Sequence, residues 1–81
     1  MSYLKDKVVM ITGAASGFGR LVACKVAARG ACVVGGDVNE AELANTVEMV
    51  TSTDGRMVGL RADVRDPADM SAMVLAALEQ F

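Results

Sequence analysis

Thr12-Gly13-Ala14-Ala15-Ser16-Gly17-Phe18-Gly19 is the stretch that decides the fold of this chain. The run Lys7-Val8-Val9-Met10-Ile11-Thr12 leads into it, apolar and rich in β-branched residues. Such a run predicts a strand over residues 7–12, buried on both faces as in a parallel sheet. Beyond the loop, Phe18, Leu21, Val22, Val26 and Ala27 recur at helical spacing until Gly30, which predicts a helix over residues 17–29. A glycine-rich loop between a strand and a helix is the setting of a dinucleotide-binding turn. Gly13 allows a sharp turn, Gly17 lets the backbone approach a pyrophosphate, and Gly19 lets the helix pack closely on the strand. The free N–H groups and the dipole of the first helical turn favour a diphosphate there. The spacing is Gly-x-x-x-Gly-x-Gly and lacks a Gly-Lys-Ser/Thr ending, which argues against nucleoside triphosphate hydrolysis.

The same alternation continues along the chain. Ala31-Cys32-Val33-Val34-Gly35-Gly36-Asp37 reads as a second buried strand. Its paired glycines lower strand propensity and fit a place where another backbone or a ligand comes close. Asn39 is an expected N-cap with Glu42 at capping-box spacing. Leu43, Val47 and Val50 give that helix its apolar stripe, and Asp54-Gly55 ends it. Residues 57–62 form a third strand. Asp66 caps the last helix, with Pro67 at its first position. Met70, Met73, Val74, Ala77, Leu78 and Phe81 follow at steps of three and four, a stripe read as core packing. The expected fold is therefore α/β, a Rossmann-type βαβαβα unit over residues 1–81 with right-handed crossovers and a parallel sheet ordered 3-2-1.

Composition excludes other classes. Apolar residues make up 53% of the 81 and charged residues 22%, with a net charge of −2, a core-forming balance with no basic cluster for nucleic acid. No apolar run approaches the roughly 18 residues of a membrane span, and the polar N-terminus does not read as a secretory signal. Cys24 and Cys32 lack metal-site spacing and there is no histidine, so no zinc site is expected and the cysteines read as buried thiols of a cytoplasmic protein.

Two aspartates stand where a dinucleotide would need them. Asp37 ends the second strand, 18 residues after Gly19. It reads either as a solvated turn residue or as the acceptor for the adenosine ribose hydroxyls. In the second role it repels a 2′-phosphate, by about 1 kcal/mol in bulk water and about 4 kcal/mol at a protein surface, which selects NAD over NADP. Asp63 follows the third strand and reads as a turn former or as an acceptor for the adenine amino group, with Val64 against the ring.

These residues resemble the short-chain dehydrogenase/reductase family. Thr12-Gly13-x-x-x-Gly17-x-Gly19 matches its cofactor loop, Asp37 the acidic residue of its NAD-preferring members, and Asp63-Val64 its adenine-pocket pair. Ser16 and Val38 stand where NADP-preferring members carry basic residues. The resemblance implies NAD as cofactor, bound by Gly13, Ser16, Gly17, Phe18, Gly19, Asp37, Val38, Asp63 and Val64. It further implies hydride transfer to or from a small alcohol or ketone substrate, and a homo-oligomer for the full-length protein, with no nucleic acid or membrane partner. The family's Asn-Asn-Ala-Gly motif, catalytic Ser and helix-borne Tyr-x-x-x-Lys have no match in residues 1–81. Tyr3 and Lys7 have the Tyr-x-x-x-Lys spacing but precede the first strand, so Tyr3 is expected to be a surface tyrosine. The expectation is an N-terminal fragment, inactive alone, with an open edge on the first strand and a last helix short of the sheet it would cover. The alternative is a small non-catalytic module that binds a nucleotide or pairs through that edge.

Overall fold

The computed structural model describes residues 3–81. Three strands, β1 (Val8–Thr12), β2 (Cys32–Asp37) and β3 (Arg56–Arg61), alternate with three helices, α1 (Gly17–Ala28), α2 (Glu40–Thr51) and α3 (Pro67–Gln80). The sheet is parallel, with β2 between β1 and β3, which is the expected 3-2-1 order. Val8 pairs with Cys32 and Cys32 with Arg56, so the C-terminal ends of all three strands lie along one rim.

Helices cover both faces. Side chains alternate along a strand, and in β2 Val33 joins Ile11, Ala23, Ala27, Leu43, Val50 and Met57 beneath α1 and α2. Its neighbour Val34 joins Ala62 and Met73 beneath α3. Met73 is fully buried, which stabilises the α3 contact by about 1.5–3 kcal/mol. The β2 glycines make this packing possible. A Cβ on Gly35 would overlap the Met57 methyl and sit 3.0 Å from Ala14 Cβ, and one on Gly36 would sit 2.7 Å from the Met73 sulfur. What crowds these two glycines is therefore mainly side chains. The glycine loop also reaches β2, through an Ala14 N–H bond to the Gly36 carbonyl.

Several sequence expectations need correction. β1 is not buried on both faces, since Val8 and Met10 are exposed. α3 packs mainly through Met73, and β1 has no second neighbouring strand among the described residues. Val74, Leu75 and Leu78 of α3 and Phe81 after it are exposed as well, so of the stripe read as core packing only Met73 is buried, with Met70 and Ala77 partly covered. On α1 the buried positions are Ala23 and Ala27, whereas Phe18 and Leu21 face outward. On α2 the buried stripe is Leu43, Thr46 and Val50, with Val47 at its margin.

The helix ends follow local chemistry. Gly30, at φ +93°, closes α1 with N–H bonds from Gly30 to Ala27 O and from Ala31 to Val26 O, the paired closure of a Schellman turn. The same pairing after α2 places Asp54, not Gly55, in the left-handed region at φ +65°. Asn39 caps α2 by accepting from Glu42 N–H, but the capping box is half formed. Asn39 N–H donates to Asp37, and the Glu42 carboxylate turns to Arg20 and Asn45. Asp66 accepts from Ala68 N–H, with Pro67 opening α3. Before β1, Tyr3 is 82% exposed beneath the Lys7 ammonium. Cys32 is buried and Cys24 half-buried, both as free thiols.

Candidate functional site

The rim at the strand ends gathers most of the residues singled out in the sequence. Gly13, Asp37, Val38, Asp63 and Val64 line one cleft of about 270 Å³, together with Ala62 and Arg65. Ser16 at the N-cap of α1 and Gly17, Phe18 and Gly19 in its first turn lie outside that lining. A larger hollow, about 410 Å³, lies between α2 and the outer edge of β3. Its wall is mainly aliphatic, with Glu40 and Arg61 at its margin, and the helix N-terminus beside it, that of α2, is already capped by Asn39 and carries Glu40 and Glu42.

The three glycines of the loop serve different needs. Gly13 and Gly17 have φ of +68° and +58°, and a Cβ on either would meet no protein atom within 4 Å. Conformation, not protein contact, requires glycine there, and space is left open in front of the helix. Gly19 is the reverse. A Cβ there would overlap the Gly13 carbonyl oxygen and lie 2.7 Å from its carbon. Its close contact is thus with the loop at the end of β1, not with the body of the strand.

The first turn of α1 is electrostatically distinct. Ser16 sits at the N-cap with extended backbone but makes no side-chain cap, and the turn holds no acidic residue. In contrast, α2 has the Asn39 cap plus Glu40 and Glu42, and α3 has the Asp66 cap plus Asp69. The N–H groups opening α1 keep both their hydrogen-bonding capacity and the positive end of the helix dipole.

Asp37 does more than the sequence suggested. Its Oδ2 accepts from Ala15 N–H at 3.0 Å and its Oδ1 from Asn39 N–H at 3.0 Å, so it ties the glycine loop to the start of α2. A carboxylate offers about four lone-pair positions, which leaves two for further donors. Asp63 is engaged more fully. The Arg65 guanidinium forks its two oxygens at 3.0 and 2.8 Å, and Arg65 N–H adds a third bond. Those bonds, the side-chain ones first, hold the Asp63 carboxyl down at about 2 and raise the Arg65 guanidinium. Asp63 N–H donates to Asp69.

Two residues not singled out in the sequence hold the loop from beneath. Thr46, fully buried, accepts from Arg20 Nε at 2.8 Å and faces the Ala15 and Glu42 carbonyls, each at 3.4 Å. Arg20 Nη2 also reaches the Glu42 carbonyl and carboxylate. The visible signal was a hydroxyl at the three- and four-residue spacing of Leu43 and Val50.

The family model for short chain dehydrogenases matches residues 7–81. The chain belongs to the short-chain dehydrogenase family. An uncharacterized oxidoreductase of Mycobacterium tuberculosis is 39% identical across 96% of this chain and 33% of its own length. A 2,5-dichloro-2,5-cyclohexadiene-1,4-diol dehydrogenase of Sphingobium indicum is 40% identical across 96% of this chain and 31% of its own. Among solved structures, a Burkholderia phymatum short chain dehydrogenase/reductase in complex with NAD superposes with a TM-score of 0.92. It is 43% identical and is matched across 98% of this chain and 28% of that one. The chain thus spans about a third of the length of the relatives it matches. Among the described residues there is no cluster of metal-ligating side chains, and no helix is long and apolar enough to cross a membrane.

Proposed function

We propose that this chain is the NAD-binding N-terminal part of an oxidoreductase acting on a small alcohol or ketone. The observation that carries the reading is the uncapped, acid-free N-terminus of α1, which opens on a loop whose Gly13 and Gly17 have clear space before them. That is a site for an anion. The diphosphate fits there, against the backbone of Gly13, Ser16, Gly17, Phe18 and Gly19. Asp37 would receive the adenosine ribose hydroxyls on its two remaining lone-pair positions, beside Val38. Asp63 and Val64 would border the adenine. When bound, the dinucleotide supplies the ring that carries hydride. These residues bind and orient its adenosine diphosphate end, and the carbonyl chemistry is that of the longer protein.

NAD is preferred over NADP on charge. Asp37 stands in the cleft, Val38 beside it is apolar and 54% exposed, and the Arg65 cation on the wall is already matched by Asp63. Calorimetric titration of the chain with NADH and NADPH tests this. Tighter NADH binding by at least about fivefold is expected from one unscreened like-charge contact of about 1 kcal/mol. Val38→Arg, at an exposed position, should narrow that gap. A wild-type chain that prefers NADPH refutes the preference, and one that binds neither nucleotide refutes the site.

A further inference from the structure

We propose that Arg20 and Thr46 are positioning residues for the glycine loop, gripping the carbonyl of Ala15 while Asp37 grips its N–H, so that α2 sets the aim of the diphosphate-binding amides. The inference rests on the proposed dinucleotide site and concerns how that site is held.

The geometry is a chain of contacts crossing from α2 to the loop. Ala15 is 2% exposed, and its N–H donates to Asp37 Oδ2 at 3.0 Å. Its carbonyl meets the Thr46 hydroxyl at 3.4 Å. That hydroxyl has one proton to give and two carbonyls to share it between, Ala15 and Glu42, at equal distance. Such a shared contact orients weakly by itself. Arg20 supplies the missing direction, because its Nε–H donates to Thr46 Oγ1 at 2.8 Å. An oxygen that accepts on one side turns its own proton to the other, here toward the two carbonyls. Arg20 is in turn fixed by Glu42, through the carbonyl at 2.9 Å and the carboxylate at 3.3 Å.

The consequence lies in the next peptide. In a planar trans peptide the N–H points opposite to the C=O. Drawing the Ala15 carbonyl inward toward Thr46 therefore aims the Ser16 N–H outward, at the N-cap of α1 where the anion would sit. Arg20 itself, although on the first turns of α1, is turned toward α2 and is not a phosphate ligand. Its positive charge is spent on Glu42.

The test compares NADH affinity of the wild-type chain with Thr46→Val, Thr46→Ser and Arg20→Met, with circular dichroism to verify folding. Thr46→Val keeps the shape and removes the hydroxyl. It should weaken NADH binding by about fivefold, the worth of one hydrogen bond, and shift the Ser16 amide resonance of the nucleotide-free chain. Thr46→Ser restores the hydroxyl and should bind within about twofold of wild type. Arg20→Met keeps the aliphatic stem and should weaken binding as Thr46→Val does, which keeps the idea testable if one variant fails to fold. Wild-type affinity in folded Thr46→Val or Arg20→Met overturns the proposal, as does equal loss in Thr46→Ser and Thr46→Val. A wild-type chain that binds no dinucleotide overturns the site itself, and this inference with it.

Discussion

Substituting Gly19 by alanine puts the packing of the glycine loop under direct strain. The added methyl would overlap the Gly13 carbonyl oxygen and sit 2.7 Å from the Gly13 carbon and 3.2 Å from Ala14 Cα. All three are backbone atoms, so no side-chain rotation relieves the contact. Overpacking of this kind costs about 1–3 kcal/mol, and a rigid neighbour places it near 3. Alanine regains about 1 kcal/mol through its helix propensity, which leaves a net loss of about 2 kcal/mol. For a domain of this size that lowers Tm by about 8–16 °C, out of a total stability of about 4–12 kcal/mol. Gly17→Ala is the control. Its methyl meets nothing and strains only φ at +58°, a cost of about 1–2 kcal/mol, with no helix propensity regained at a left-handed residue. Thermal denaturation followed by circular dichroism reads both. A Gly19→Ala chain that melts within about 2 °C of wild type, or a Gly17→Ala chain that is the more damaged of the two, would refute this packing of Gly19 on the Gly13 backbone.

Further predictions follow from single contacts. Asp66→Ala removes the acceptor for Ala68 N–H and should cost about 1 kcal/mol in urea denaturation; no loss would mean that Pro67 alone suffices to start α3. The Asp63 carboxyl should titrate at about 2 by NMR, and Arg65→Gln should move it up toward 3.8. Because its folded value lies below the ordinary one, the fork is fully formed above about pH 4 and is lost as pH falls through about 2. An Asp63 midpoint near 3.8 in the wild-type chain would show that Arg65 does not hold it. Val38→Arg should raise NADPH affinity relative to NADH with little change in Tm, since the side chain is exposed; a large Tm loss would show that Val38 packs.

The element order was legible because strand and helix carry different periods and because the punctuation is local. Gly30, Asn39 and Asp66-Pro67 each start or stop an element through their own backbone chemistry. The cleft was legible too, since Gly13, Asp37 and Asp63 follow strand ends that a 3-2-1 sheet brings to one rim. Burial was less so. A run such as Val8 to Thr12 predicts two covered faces, but how much is covered depends on neighbours that the run does not specify, and Val8 and Met10 are exposed. On α2 the spacing from Leu43 admits either position 46 or 47, and hydrophobicity points to Val47. Burying Thr46 instead is tolerable because Arg20 and two carbonyls satisfy its hydroxyl. That compensation is tertiary, so the helix pattern alone could not reveal it. The same is true of Asp37, whose bond to Ala15 spans 22 residues of chain.

The most direct test of the central claim is amide mapping, by titrating the ¹⁵N-labelled chain with NAD and following every backbone resonance. The dinucleotide reading predicts the largest shifts at Gly13, Ser16, Gly17, Phe18 and Gly19, with Asp37, Val38, Asp63 and Val64 following in the same saturable transition. Shifts centred instead on Leu43, Ala44, Val47 and Gly59, around the larger hollow beside β3, would contradict it.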